Sequence, residues 1–136
     1  MAYTFRELTD AEKEALLKDN SWGILSFAGD EPYAIPVGYQ YIKGDILLGW
    51  APTGRKMEYV NKSRNVCLVI CRPTALSSDP KEAYPFTTVI IEGELEDITA
   101  TDRASYGLPP LPAGVKVGLF RIKQKRVGTQ ELGWSS

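Results

Sequence analysis

From residue 21 onward the chain is a succession of short runs rich in β-branched and aromatic residues, and turn residues punctuate the first of them. The runs are "SWGILSFA", "YAIPVGYQYI", "ILLGWA", "NVCLVICR", "TTVIIEGELEDI" and "VGLFRIKQKRV"; "GDEP" and "KGD" separate the first three. At least six strands of this kind predict an antiparallel sheet, and such a sheet closes into a small barrel or packs as a sandwich because open edges invite aggregation. The first three runs are expected to form a meander. Helices are few. "LTDAEKEALLKDN" predicts one, with Thr9 and Glu12 spaced as a capping box and Leu8, Ala15 and Leu16 on its apolar face. "GRKMEYVNKS" predicts a second, of about two turns, with Met57 and Val60 facing inward. "ATDRASYGLPPLPAG" reads as a short helix and a proline-rich connection, and "PTALSSDPKEAYP" as a polar loop.

A length of 136 residues predicts a single domain spanning 1–136. A net charge of -1 exerts no global pull toward nucleic acid or an anionic membrane, so an anion site, if there is one, is local. No apolar run approaches the roughly 20 residues of a membrane helix, and the N-terminus lacks a signal-peptide pattern, so a cytoplasmic protein is expected. There is no histidine, which removes the commonest general base and metal ligand. Cys67 and Cys71, four residues apart, would stand about 13 Å from one another in a strand, too far for a disulfide. They are expected as buried apolar fillers, and no metal site is expected. If the chain is an enzyme, a cofactor carries the chemistry.

Two stretches stand out against this background. In "YAIPVGYQYI", alternation puts Ile35, Val37, Tyr39 and Tyr41 on one face and Ala34, Pro36, Gly38 and Gln40 on the other, so the second face is nearly bare. A flat ring could lie there, or Pro36 and Gly38 could simply bend a barrel corner. In "GWAPTGRKMEYVNK" a helix opens on Arg55 and Lys56, adding cations to a terminus that is already partly positive. An anion would resolve the conflict. Thr53 offers a hydroxyl, Gly54 close backbone approach, Arg55 a planar fork and Lys56 a point charge. The alternative is a solvated basic turn, paired with Glu58 or with the acidic stretch 92–97.

The order of "WGILS", "YAIPVGY", "ILLGWAPTGRK", "NVCLV" and "TVIIEGEL" resembles the FMN-binding split-barrel superfamily of pyridoxamine 5′-phosphate oxidase, especially its short nitroimidazole-resistance members. The resemblance covers residues from about 5 to 123. It implies a mainly β fold, a six- to seven-stranded antiparallel split β-barrel with a few short peripheral helices. It implies a homodimer with FMN at the subunit interface. Ile35, Pro36, Val37 and Gly38 would supply the strand backbone beside the isoalloxazine. Trp50 and Ala51 would lie near the ring or ribityl chain, and Thr53, Gly54, Arg55 and Lys56 at the phosphate. Thr87 and Thr88 would reach the cofactor from the partner subunit.

The departures are equally informative. Gly49 stands where many nitroimidazole-resistance relatives carry a histidine, and "KQKRVGTQELGWSS" does not reproduce the substrate-binding C-terminus of full-length pyridoxamine phosphate oxidases. Pyridoxamine phosphate is therefore not the expected substrate. Trp134 lies in a polar tail that stays loose unless it docks, on a partner subunit or by ordinary packing. The resemblance implies an FMN-dependent oxidoreductase passing electrons or hydride from a reduced donor to a small organic acceptor, with no side-chain acid or base assigned. The alternatives are a flavin-binding or flavin-sensing protein without turnover, and the same barrel using deazaflavin or haem.

Overall fold

The alternating strand runs assemble into one antiparallel sheet that curls on itself. Residues 2–73 and 86–135 are described by the structure, a computed structural model. Along the chain lie β1 (Ala2–Arg6), α1 (Asp10–Asp19), β2 (Trp22–Phe27), β3 (Tyr33–Gly38), β4 (Gln40–Ile42) and β5 (Asp45–Trp50). They are followed by α2 (Arg55–Lys62), β6 (Asn65–Pro73), β7 (Phe86–Asp97), α3 (Ala100–Ser105) and β8 (Gly118–Ser135). The order across the sheet is β3-β2-β6-β7-β8-β5-β4, with β1 added alongside β8. The mainly β split barrel with short peripheral helices is thus the fold, with seven strands on the continuous path and β1 as an eighth. β1 pairs with the far C-terminal end of β8, Ala2 opposite Ser135 and Arg6 opposite Glu131. The polar tail is therefore strand rather than loose chain.

The expected meander is corrected by this order. "YAIPVGYQYI" is not one strand: it breaks at Tyr39, and its halves, β3 and β4, form the two opposite edges of the path. A single residue can join the two ends of a seven-strand path only if the sheet curls until its ends meet. Tyr39 holds that seam: its N–H donates to Ser21 O at 2.9 Å and its phenol donates to Leu17 O at 2.7 Å. Pro36 is tolerated because β3, paired only with β2, needs no N–H on its outer edge.

The core fills the curl. Leu25, Phe27, Val37, Ile46, Leu48, Trp50, Leu68, Ile70, Val89, Ile91, Phe120 and Ile122 are buried in one cluster. α1 opens on the expected capping box, with Glu12 N–H bonded to Thr9 Oγ1 and Thr9 N–H to the Glu12 carboxylate. It plugs the barrel with Leu16 and Leu17, whereas Ala15, assigned to the apolar face, is exposed. From α2, Val60 is buried and Met57 packs against the cluster. α3 forms where expected, and Thr99 caps it in the same reciprocal way as Thr9.

The cysteines are not buried fillers. On β6 the inward positions are Val66, Leu68 and Ile70, so Cys67 and Cys71 take the outward ones, half-buried and exposed respectively, and both are free thiols. Burial, and then the Glu92 carboxylate, push the Cys67 thiol up, which keeps it protonated and unreactive. The polar loop expected from Pro73 onward lies, beyond that residue, outside the described residues. Among the described residues no helix is long and apolar enough to cross a membrane.

Candidate functional site

The site begins at α2. Its N-cap is Gly54, at φ 110°, a conformation that disfavours any side chain, and no side chain among the described residues caps the helix. Both other helices carry capping boxes, so here the first-turn N–H groups are left to another acceptor. Arg55 and Lys56 open the helix on different aromatic supports. The Arg55 guanidinium lies over the Tyr33 ring at 4.9 Å and near the Tyr59 ring at 5.5 Å; Lys56 Nζ lies 5.9 Å over Trp50.

Neither cation is neutralised by a carboxylate among the described residues. The acidic end of β7 is used elsewhere: Glu94 pairs with Lys125 at 2.7 Å, Glu96 with Arg121 at 3.5 Å and Asp97 with Arg64 at 2.9 Å. Among the described residues no carboxylate of the 92–97 stretch pairs with the basic turn. Glu58 makes no ion pair with it either among the described residues.

Tyr33, beneath Arg55, is the first residue of β3. The strand then presents the alternation read from the sequence: Ile35 and Val37 turn inward, while Ala34, Pro36 and Gly38 are exposed. A Cβ built on Gly38 would meet only Ser21 O at 3.7 Å, and one on Gly54 would meet nothing within 4 Å. The cationic helix start therefore lies at the Tyr33 end of the strand that carries the bare strip, with open space at both glycines. Gly38 and Gly49 also line one cleft with Gln40, Ile98, Leu108 and Leu119. Gly49 has its own packing reason: a Cβ there would come within 3.0 Å of the Leu119 side chain.

The bare strip continues sideways. Register places Pro36 opposite Ile24, Ile24 opposite Val69, Val69 opposite Ile90 and Ile90 opposite Gly128, an uncharged row across five strands. Ile24 and Ile90 are 37% and 38% exposed, and Trp22, opposite Gly38, is 59% exposed. Exposed apolar side chains set in a row are a feature of interaction surfaces.

The anticipated residues divide into groups. Pro36, Gly38, Ala51, Thr53, Gly54 and Arg55 are exposed around β3 and the start of α2, with Lys56 half-buried among them. Ile35, Val37 and Trp50 lend backbone only, because their side chains join the core; Trp50 packs on Phe120 at 4.9 Å and donates its indole N–H toward Met57 Sδ at 3.2 Å. Thr87 and Thr88 are not brought to this place within the chain: they lie on β7, with β2 and β6 between them and β3, about 14 Å across the sheet.

Against known proteins, the family model described as pyridoxamine 5′-phosphate oxidase matches residues 9–109 of the 136. The chain belongs to this family. Curated proteins give no match. Solved structures share the fold at low identity. A FAD-binding protein from Mesorhizobium loti is 18% identical with a TM-score of 0.70, covering 98% of this chain and 100% of that one. A candidate 5-nitroimidazole antibiotic resistance protein from Bacteroides thetaiotaomicron is 13% identical with a TM-score of 0.75, covering 97% and 90%. A FAD and heme binding protein from Mycobacterium smegmatis is 13% identical with a TM-score of 0.71, covering 97% and 75%.

Sequence reasoning missed Tyr33, Tyr59, Trp22 and Ile24. Tyr59 carried a usable signal, since it stands four residues after Arg55 on the same helix face. Tyr33 carried none, because only the tertiary fold sets the start of β3 against α2.

Proposed function

We propose that this chain is a flavin-binding protein that works as an FMN-dependent oxidoreductase on a small organic substrate. One observation carries the reading: Arg55, unpaired among the described residues, lies 4.9 Å over the first residue of the strand whose outer face is bare. A phosphate at the start of α2 and a planar ring along Ala34, Pro36 and Gly38 would then belong to one molecule. Thr53, the Gly54 and first-turn N–H groups, Arg55 and Lys56 would hold the phosphate. Charged hydrogen bonds of this kind contribute roughly 1.5 to 3 kcal/mol each. The residues fit the group: the glycines leave open space, the helix-start donors have no side-chain partner among the described residues, and β3, an edge strand, keeps backbone groups on its free side for a ring edge.

Bound flavin supplies hydride and electron transfer. The chain's part is positioning: a flat strand face, an anion grip at one end, and backbone N–H groups that favour negative charge at the ring edge. Among similar folds, one protein binds FAD and another FAD and heme, which supports a flavin here. The same reading makes the uncharged row from Pro36 to Gly128 the face of a homodimer. A second copy is the occupant we favour, because Thr87 and Thr88, on β7, stand three strands away from β3 in their own sheet, about 14 Å across it, and would join the site from a partner.

The visible absorption spectrum of the purified protein, with mass identification of the molecule released on denaturation, tests this. Flavin bands and FMN are expected. A colourless protein that takes up no added flavin would sink the reading. Lys56→Ala is expected to lose FMN and lower Tm, since a ligand at 100 times its Kd stabilises a fold by about 2.7 kcal/mol.

A further inference from the structure

No ion pair holds Arg55 among the described residues. The groove beside it is lined by Asp30, Glu31 and Glu58, yet none of these forms an ion pair with it among the described residues. The guanidinium rests instead on two rings that are themselves fixed. Tyr33 and Tyr59 stack at 4.8 Å with an interplanar angle of 26°, and Tyr33 stacks in turn on the buried Phe27 at 5.3 Å. The Tyr59 hydroxyl donates to Glu31 O at 3.1 Å. Its ring lies so close over the β2–β3 turn that a Cβ on Gly29 would come within 2.7 Å of it.

We infer that Tyr33 and Tyr59 are positioning residues: they hold the Arg55 guanidinium by its face, off the neighbouring carboxylates, with its N–H edge free for a phosphate monoester. A guanidinium stacked on a ring uses its π face and leaves its five coplanar donors available. A salt bridge to Asp30, Glu31 or Glu58 would consume those donors and cancel the charge. The platform therefore gives the site its preference for a phosphorylated over an unphosphorylated flavin. This inference rests on the flavin reading above and adds which side chains make the phosphate count.

The test is the ratio of dissociation constants for riboflavin and FMN, measured by flavin fluorescence titration on the full chain. The wild type is expected to prefer FMN. Tyr33→Leu is expected to shrink that preference about 3- to 30-fold, the range of a cation–π contact, with riboflavin affinity little changed. Tyr33→Phe, which keeps the ring, is expected to keep the preference. A structural role alone would weaken both ligands together and leave the ratio intact, and that result overturns the inference; so does a phenylalanine variant as impaired as the leucine one. Arg55→Lys, at an exposed position, provides a variant that spares the core. It keeps the charge without the planar face, and an undiminished FMN preference in it also overturns the inference. A wild type that binds neither flavin removes the flavin reading itself, a result distinct from FMN preference that is insensitive to Tyr33.

Discussion

The Tyr39 phenol donates to the carbonyl oxygen of Leu17 at 2.7 Å inside the protein, so the residue that joins the two edge strands is also the one to which α1 is fastened. Leu17 lies in the last turn of α1, where carbonyls have no partner within the helix. Tyr39→Phe leaves that oxygen buried and short of a donor. A loss of about 1–2 kcal/mol in urea unfolding is expected, and an unchanged midpoint would show that water replaces the phenol.

The same seam predicts behaviour in alkali. Burial pushes the Tyr39 phenol up to about 12 from an ordinary 10.0; burial and the bond to Glu14 do the same for Tyr41. The fold favours the protonated phenols, so this stability is complete below the ordinary value and is lost as pH rises through the folded one. Thermal melts should show Tm falling between pH 10 and 12, less steeply in Tyr39→Phe than in the wild type.

At the acid end, Glu12 is bonded first to Arg6 and then to the Thr9 N–H, and its carboxyl is lowered from 4.5 to about 2. Its contribution is present above the ordinary value and is lost as pH falls toward the folded one. Glu12→Gln should remove part of the Tm decline between pH 4.5 and 2. Identical acid limbs in variant and wild type would place that decline in other carboxylates.

Gly93 faces the β-bulge where β8 carries an extra residue: Glu92 pairs with Arg126 and Gly93 with Gln124. A Cβ on Gly93 would fall 2.1 Å from Lys123 O, a backbone atom that cannot swing aside. Gly93→Ala is expected to destabilise by about 1–3 kcal/mol, read from denaturant midpoints. A neutral result would mean that the bulge slides.

If the row from Pro36 to Gly128 is the homodimer face, a charge within it should separate the subunits. Ile24→Asp and Ile90→Asp alter exposed positions, so the monomer should still fold. Sedimentation velocity is expected to find a wild-type dimer and monomeric variants. Dimers that survive both changes would move the interface elsewhere.

Period-two alternation and turn chemistry were legible in the residues because both are local. The bare face of Ala34, Pro36 and Gly38 follows from the pleat wherever β3 lies, and Thr9 caps α1 through a partner three residues away. The clash of cations with the start of α2 was equally visible, since Arg55, Lys56 and Gly54 are neighbours in the chain. The tertiary structure alone decided what lies far apart in sequence. It put the halves of "YAIPVGYQYI" on opposite edges of the sheet, paired residues 2–6 with the C-terminal strand, turned the cysteines outward, and slid Tyr33 under Arg55. The physical reason is the curl: which edges meet and which ring lies under which cation depend on sheet closure around a shared core, and no window of the chain contains it.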